Sequence, residues 1–208
     1  MNKTLDDLTT EELGKLFPIT LSAPQTNWNI LFEQERQQLI QVIGESFILR
    51  IEHIGSTAIP GIRAKPTIDI LAEIGADSNC SQIINGMRNA HYHVIPRPKN
   101  PAPHLMFTKG YTIKGYNGQA VHIHMRYPGD WDEIYFRDYL RGNETVAREY
   151  EQLKTDLEKK FKYDREAYTE GKTDFVTRIS ARAKFEHNRR LHDRKQQKTE
   201  QTAINGYF

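Results

Sequence analysis

The chain has 208 residues and a formal net charge of +2, with 27% charged and 38% hydrophobic residues. These values are typical of a soluble globular protein with an ordinary core, and they exclude the strong basicity of a dedicated nucleic-acid-binding protein. Cys80 is the only cysteine, which excludes an intramolecular disulfide and a cysteine-based zinc site. We therefore expect a cytoplasmic protein without a membrane partner, since no run of about 18 apolar residues predicts a transmembrane helix.

Two helices and a strand are predicted in the first 54 residues. A short acidic helix is expected around Asp6–Leu16, and an amphipathic helix is expected over 26–44. The apolar stripe of the second helix consists of Trp28, Leu31, Phe32, Leu39, Val42 and Ile43. Apolar and charged side chains then alternate over 47–54, which predicts a strand. Its apolar face is formed by Phe47, Leu49 and Ile51.

Strands around one helix are predicted in the middle of the chain. Residues 67–74 predict a strand, because branched apolar side chains alternate along it with Asp69, Leu71 and Glu73. Its apolar face is formed by Ile68, Ile70, Ala72 and Ile74. The other elements predicted before residue 128 are a helix over 79–90 and strands over 91–95, 104–108 and 119–126.

The remainder of the chain, from Gly129 onward, is predicted to be helical, because apolar side chains recur at helical spacing. The predicted helices cover 130–142, 144–161 and 173–186. The final residues are polar and basic, which predicts a fraying helix and a loose tail. We therefore expect one α+β domain over 1–186, whose helical part begins at about 129, and a polar basic tail over 187–208.

The segment Ile51–Ile74 carries the clearest functional pattern, a strand, a Gly-Ser turn and a second strand with an acid. Gly55 lets the backbone approach a ligand closely, and Ser56 and Thr57 can donate hydroxyl hydrogen bonds. The N–H groups of a helix that begins after them suit a phosphate. Asp69 on the neighbouring strand is placed to hold Mg²⁺ between phosphates. A plain strand-to-helix turn with a buried, hydrogen-bonded acid is the alternative.

The chain closely resembles the GrpB-like family in HIGSTAIPG followed by KPTIDIL. It is similar to later blocks of that family in VHIHM, WDEIYFRDYLR, REYEQLKTDL and DREAYTEGKTDF, so the match covers roughly Ile19–Lys184. That family is placed in the DNA-polymerase-β-type nucleotidyltransferase superfamily. The resemblance therefore implies a nucleotidyltransferase-like mixed β-sheet flanked by helices, with a C-terminal helical region.

One departure from that superfamily concerns the acids on the strand of Asp69. Active nucleotidyltransferases carry two acids one residue apart on this strand, whereas Leu71 occupies the second position here. Glu73 is on the same face but lies roughly 13 Å from Asp69, at about 3.3 Å per residue, which is too far to share one ion. A two-metal site built on this strand is therefore not expected.

Two histidines offer a different ligand set. His122 and His124 share one face of the strand predicted over 119–126, about 6–7 Å apart at the backbone. The superfamily topology implies that such a strand carries the third acid, so we expect one of these histidines beside Asp69. An aspartate with two histidines favours Zn²⁺ or Mn²⁺ over Mg²⁺, because imidazole is a softer ligand than oxygen. The same histidines can also line a pocket without a metal.

Positive charge for a ligand is expected from Lys65, Arg137 and Lys172. Lys65 precedes Pro66 beside the candidate loop and can contact phosphate as a point charge. Arg137 can clamp an anion from its helix or pair with Asp138. Lys172, in the segment DREAYTEGK, can likewise contact an anion. For each of them, a solvated or ion-paired side chain is the alternative.

The resemblance implies transfer of a nucleotidyl group from a nucleoside triphosphate to an unknown small acceptor, with a divalent ion such as Mg²⁺, Mn²⁺ or Zn²⁺. In this hypothesis Gly55 and Ser56 hold the phosphates, Asp69 with the metal neutralises their charge, and His124 acts as a base. A non-catalytic nucleotide or small-ligand binding module on the same fold is the alternative, because a second acid is missing. A protein that binds partners through its helical face and basic tail is the third hypothesis.

Overall fold

The computed structural model describes residues 4–205, with side chains up to residue 197. The helices are α1 (Thr10–Leu16), α2 (Trp28–Ile43), α3 (Cys80–Asn89), α4 (Asp132–Gly142), α5 (Glu144–Lys160), α6 (Arg165–Glu170) and α7 (Thr173–Asn205). The strands are β1 (Ile48–Ile54), β2 (Thr67–Ile74), β3 (His93–Pro96), β4 (Leu105–Thr112) and β5 (Gly115–Arg126). Short 3₁₀ helices cover Leu5–Asp7, Glu45–Phe47 and Ser56–Ala58.

The five strands form one mixed sheet in the order β1-β2-β5-β4-β3. Strands β2 and β5 are parallel, and the other neighbouring pairs are antiparallel. In this register Asp69 lies between Ile54 of β1 and His122 of β5. The mixed α+β architecture with flanking helices and a helical C-terminal region is therefore confirmed.

Helices α2 and α3 cover one face of the sheet. This core contains the predicted stripe residues Trp28, Phe32, Leu39 and Ile43, together with Ile68, Ile70, Ala72 and Ile74 of β2. Since side chains alternate across a strand, Asp69 and Glu73 point to the opposite face. That face is covered by the C-terminal helices, whose own core joins α4, α5 and α7 to Ile59 and Ile62.

The predicted apolar face of the first strand is correct at Ile51 and wrong at Phe47 and Leu49. Phe47 and Leu49 are 46% and 59% exposed, and instead Ile48 and Ile51 pack against the core. The cause is an irregularity in the pairing of β1 with β2 between Ile48 and Arg50. Because the side-chain period of a strand is two, such an irregularity transfers the preceding side chains to the other face.

Several elements extend beyond their predicted limits. Strands β4 and β5 form a long hairpin across Ile113 and Lys114, where the sequence predicted two shorter strands and an irregular connection. Helix α6 was not predicted, and α7 continues to Asn205 rather than ending at 186. The side chains of 187–197 are exposed, and the last three residues of the predicted tail lie outside the described residues. Across the described chain, α7 included, no helix is both long and apolar enough to cross a bilayer.

Candidate functional site

A cavity of about 440 Å³ lies between the second face of the sheet, helices α5 and α6, and the turn before α7. Its sheet side includes Gly55, Ser56, Lys65, Asp69, His122 and His124. Its helical side includes Tyr150, Arg165, Tyr168, Thr169 and Lys172. The loop after β3 adds Arg97. We call this site the basic cavity, because four of its side chains are lysine or arginine.

The turn after β1 is pressed against the Asp69 carboxylate. Gly55 has φ 72°, a left-handed conformation that favours glycine. A Cβ atom at Gly55 would lie 2.4 Å from Asp69 Oδ2, so a side chain does not fit there. The turn continues into the 3₁₀ helix that begins at Ser56. The glycine therefore allows the Gly-Ser backbone and the carboxylate to share one wall of the cavity.

A buried hydrogen-bond chain holds this turn from behind. The Thr57 hydroxyl donates to the Thr67 carbonyl at 2.9 Å, and it therefore accepts from His53 Nε2 at 3.0 Å. The His53 ring stacks on Phe32 with a centroid distance of 4.8 Å. Burial lowers the pKa of His53 to about 4, so the ring is neutral at neutral pH. Thr57 thus fixes the turn from beneath and does not line the cavity.

Asp69 is the acid end of a second hydrogen-bond chain. His122 Nδ1 donates to Asp69 Oδ1 at 3.2 Å, and His122 Nε2 accepts from the Tyr111 hydroxyl at 2.8 Å. Burial raises the pKa of the Asp69 carboxyl, but the hydrogen bond and the charges of His122, His124 and Lys65 outweigh burial and hold it below its ordinary value. Asp69 is therefore ionised at neutral pH.

The basic residues of the cavity perturb one another. Burial, followed by the charges of Arg165 and Lys172, lowers the pKa of Lys65 to about 7. Burial is also the main cause of a lowered pKa at Lys172, with Arg165 adding to it. The Tyr168 ring lies between the two amines, 5.7 Å from Lys65 Nζ and 4.5 Å from Lys172 Nζ. Since Asp69 is the only carboxylate among the described lining residues, the cavity holds excess positive charge.

Comparison with known proteins identifies the family of this chain. Residues 18–182 match the family described as GrpB protein. The chain belongs to the GrpB family. It is 35% identical over 164 residues to the glutamate-rich protein GrpB of Alkalihalophilus pseudofirmus, a match that covers 77% of this chain and 93% of that protein.

Two further comparisons agree with this family assignment. A UPF0157 protein of Pseudomonas aeruginosa is 37% identical over 136 residues, which cover 65% of this chain and 55% of that protein. The crystal structure of the conserved protein GrpB from Enterococcus faecalis superposes with a TM-score of 0.69 at 25% identity. That superposition covers 81% of this chain and 99% of the other. The fold described above is therefore shared with a solved GrpB structure.

Within this GrpB fold, most of the predicted site residues line the same cavity. They are Gly55, Ser56, Lys65, Asp69, His122, His124 and Lys172. Arg137 is not among them. Its Nη1 donates to Glu52 Oε2 at 2.6 Å and to the His53 carbonyl at 2.9 Å, and its Nε donates to Asp138. Helix α4 turns this guanidinium toward β1, where it ties helix to strand instead of facing the basic cavity.

Among the lining residues that the sequence did not single out are Tyr150, Arg165 and Arg97. Tyr150 was interpreted as part of a core stripe on α5, but it also lines the cavity, and burial raises its pKa to about 12. Arg165 lies in the segment DREAYTEGKTDF, which carried the family resemblance and was the available signal. Arg97 follows β3 in a proline-rich loop, and its local sequence carries no signal for a site.

The predicted metal ligands do not converge. Both ring nitrogens of His122 have protein partners, Asp69 on one side and Tyr111 on the other. Across the residues whose side chains are described, no group of three or more His, Cys, Asp or Glu has an arrangement that could hold a metal ion. Asp69, His122 and His124 share the cavity wall, but their donor atoms do not form the coordination set that the sequence suggested.

Proposed function

We propose that this GrpB-family chain binds a phosphate-bearing small molecule in the basic cavity, with a nucleoside triphosphate as the first candidate. The observation that carries the proposal is that Lys65, Arg97, Arg165 and Lys172 line one cavity with a single carboxylate. Burial, followed by the charges of Arg165 and Lys172, lowers the pKa of Lys65, so the like charges in this cavity destabilise one another. A polyanion relieves this repulsion and accepts hydrogen bonds from all four side chains.

The turn at Gly55 and Ser56 supports the same proposal. The absence of a Cβ atom brings the backbone close to the ligand space, and Ser56 contributes a hydroxyl to the wall. The order of elements also favours a nucleotidyltransferase-like fold. It consists of a strand, a Gly-Ser turn and a second strand that carries Asp69. On that fold, the phosphates would lie against the turn, with Arg165 and Lys172 on the helical side and Lys65 and Arg97 in loops of the cavity wall.

Nucleotidyl transfer to a small acceptor is the second candidate, and the state of His124 favours it. Burial lowers the pKa of His124, so its imidazole is neutral at neutral pH and can accept a proton from an acceptor hydroxyl. The acceptor oxygen would bond to the α-phosphorus as the bond from that phosphorus to the bridging oxygen of the β-phosphate breaks, and the lysines and arginines would stabilise the charge on the departing pyrophosphate.

Thermal unfolding against inorganic triphosphate and a panel of nucleoside triphosphates tests the binding proposal. A ligand present at about 100 times its dissociation constant stabilises the fold by about 2.7 kcal/mol. We expect Lys172→Met to lose most of this stabilisation, because it removes one charge from the cavity wall. Lys114→Met is the matched control, since Lys114 is exposed in the turn between β4 and β5. Absence of any shift, or equal shifts in both variants, would contradict the proposal.

Divalent ions separate the two candidates. Binding alone predicts that Mg²⁺, Mn²⁺ or Zn²⁺ does not increase the stabilisation by triphosphate over that seen with chelator, because each ion neutralises part of the ligand's charge. Nucleotidyl transfer predicts tighter binding with one of these ions and loss of that gain in Asp69→Asn, since transfer enzymes neutralise the triphosphate with a carboxylate-bound ion. A gain that survives Asp69→Asn would assign the ion to the ligand rather than to the protein.

A further inference from the structure

A second cavity adjoins the basic cavity on the same face of the sheet. It has a volume of about 260 Å³ and shares four lining residues with the basic cavity, Arg97, Met106, His122 and Arg165. We call it the N-terminal cavity, because residues between Leu5 and Phe17 form one of its walls.

The sheet register explains why the two cavities are continuous. Residues directly paired on neighbouring strands point to the same face. Asp69 pairs with His122, His122 with Thr108, and Thr108 with His93, so one row of side chains runs from the first cavity into the second. The hydrogen-bonded chain from Asp69 through His122 to Tyr111 follows the same direction.

Along this row, the lining side chains change from mostly polar in the basic cavity to more apolar in the N-terminal cavity. The N-terminal cavity is lined by Leu5, Leu13, Phe17, Ile95, Met106 and Tyr111. The rings of Phe17 and Tyr111 meet edge to face with a centroid distance of 5.0 Å. Polar groups at the rim include Asp6, His93 and Thr108. A cavity of about 150 Å³ accommodates benzene, so this one has room for a larger flat ring with hydrogen-bonding edges.

The wall formed by the N-terminal segment is fixed at several points. Asp6 Oδ1 and His93 Nε2 are 3.1 Å apart, which joins the segment to β3. Arg165 Nη1 donates to the Phe17 carbonyl at 2.8 Å, so one arginine lines the basic cavity and also holds this wall. The α1 backbone packs on the loop before α6, where a Cβ atom at Gly14 would lie 1.8 Å from the Tyr163 carbonyl oxygen.

We propose that the two cavities form one bipartite site for a phosphate ester of a flat heteroaromatic group. The phosphates occupy the basic cavity, and the ring occupies the N-terminal cavity, where it packs against the wall formed by Phe17, Tyr111 and Met106. His122 and Arg165 lie at the junction between the two parts of the ligand. This inference rests on the proposed phosphate-binding function and adds the class of organic group and the residues that recognise it.

Isothermal titration calorimetry with inorganic triphosphate and with ATP, both in the presence of chelator, tests the inference. The first probe reports the basic cavity alone, and the second adds a heteroaromatic ring. We expect ATP to bind at least about tenfold more tightly than triphosphate in the unmodified protein, a difference of about 1.4 kcal/mol. Leu13→Asn should reduce this ratio to about twofold and leave triphosphate binding unchanged. Gly14→Ala should also reduce the ratio.

The two variants act on the N-terminal wall in different ways. Leu13→Asn places an amide against the ring at nearly unchanged volume and charge, whereas Gly14→Ala displaces α1 from the Tyr163 carbonyl. Leu49→Asn is the matched control, because Leu49 is exposed on β1 and lines neither cavity. An ATP-to-triphosphate ratio that is equal in all variants, with triphosphate still bound, overturns the bipartite site alone. If triphosphate does not bind at all, the phosphate-binding proposal fails and this inference fails with it.

Discussion

Lys65 is a residue whose protonation is set by its surroundings. Burial and the charges of Arg165 and Lys172 lower its pKa to about 7, whereas Asp69 acts in the opposite direction. The negative charge of Asp69 therefore does not offset the effect of burial and of the charges of Arg165 and Lys172 on this pKa. An anionic ligand would raise the pKa of Lys65, so binding is coupled to proton uptake.

We predict that the affinity for ATP falls as the pH rises between about 7.5 and 9, by up to about tenfold per pH unit. The sign follows because the free protein loses the Lys65 proton near pH 7 and has to regain it on binding. Lys65→Arg keeps the charge over this range and should bind with a flatter pH profile, whereas Lys65→Met should bind weakly at every pH. Titration calorimetry measures each profile.

The outcome that would contradict this prediction is an equal slope in the unmodified protein and in Lys65→Arg. The proton would then be taken up at another group, and Lys172 would be the next residue to replace, because its pKa is lowered as well. The phosphates of ATP complete their ionisation below this pH range and so contribute little to the slope.

At the scale of the elements, the turn from β1 into the 3₁₀ helix at Ser56 depends on a glycine. Gly55 combines a positive φ with close contact to Asp69, so two separate requirements exclude a side chain. Gly118 in β5 has nearly the same φ, 76°, but no atom within 4 Å of the position of a Cβ. Both glycines therefore have a positive φ, but only Gly55 has a close steric contact.

We predict that Gly55→Ala lowers the free energy of unfolding by clearly more than Gly118→Ala does. Both variants place a side chain at a positive φ, and Gly55, with ψ −174°, lies in a region that is essentially restricted to glycine. Only Gly55→Ala adds a clash with the Asp69 carboxylate. Urea denaturation of both variants measures the difference. Equal losses would mean that the turn can move away from Asp69, and the close approach in the cavity wall would not be a requirement of the fold.

The elements also illustrate what local sequence can predict. The stripe on α2 and the alternation on β2 are strong periodic patterns, and both were confirmed. The face predicted for Phe47 and Leu49 was wrong, because the irregular pairing of β1 with β2 is not encoded by the alternation of side chains. The extended β4–β5 hairpin was not predicted, since its residues carry weak alternation around Gly115 and Gly118.

At the scale of the whole molecule, a buried lysine links the loop between β1 and β2 to the C-terminal helices. Lys154 of α5 is 1% exposed, donates to the Arg63 carbonyl, and lies 4.8 Å from the centre of the Tyr150 ring. Burial, followed by the charge of Lys172, lowers its pKa to about 7. The loop between β1 and β2 is thus anchored on α5 by an amine that is only partly charged at neutral pH.

We predict that the free energy of unfolding rises with pH from about 7 toward 10. The folded protein has already released the Lys154 proton in this range, whereas the unfolded chain keeps it up to its ordinary pKa of 10.5. One such group contributes about 1.4 kcal/mol per pH unit. Lys154→Met should reduce the slope, and Lys159→Met, an exposed lysine of the same helix, should not. Denaturant unfolding at several pH values measures the slopes, and equal slopes in both variants would contradict the prediction.

The sequence by itself determined the family, the mixed α+β class and most of the cavity wall that comes from the sheet. Gly55, Ser56, Lys65 and Asp69 lie in one short segment, so their proximity follows from a local turn and one strand pairing. Periodicity and local motifs are sufficient for such features, because the physical causes lie within a few residues.

Only the tertiary structure decided which basic residues complete the cavity. Arg97 comes from one part of the chain, and Arg165 and Lys172 from another, and their meeting with Asp69 in one cavity depends on how the helices pack over the sheet. The same packing turned Arg137 away, to Glu52, and engaged both nitrogens of His122 with Asp69 and Tyr111. The position of a charged side chain in the sequence does not indicate its partner. The sequence therefore identified the candidate residues, and only the contacts between distant elements showed which of them line the cavity.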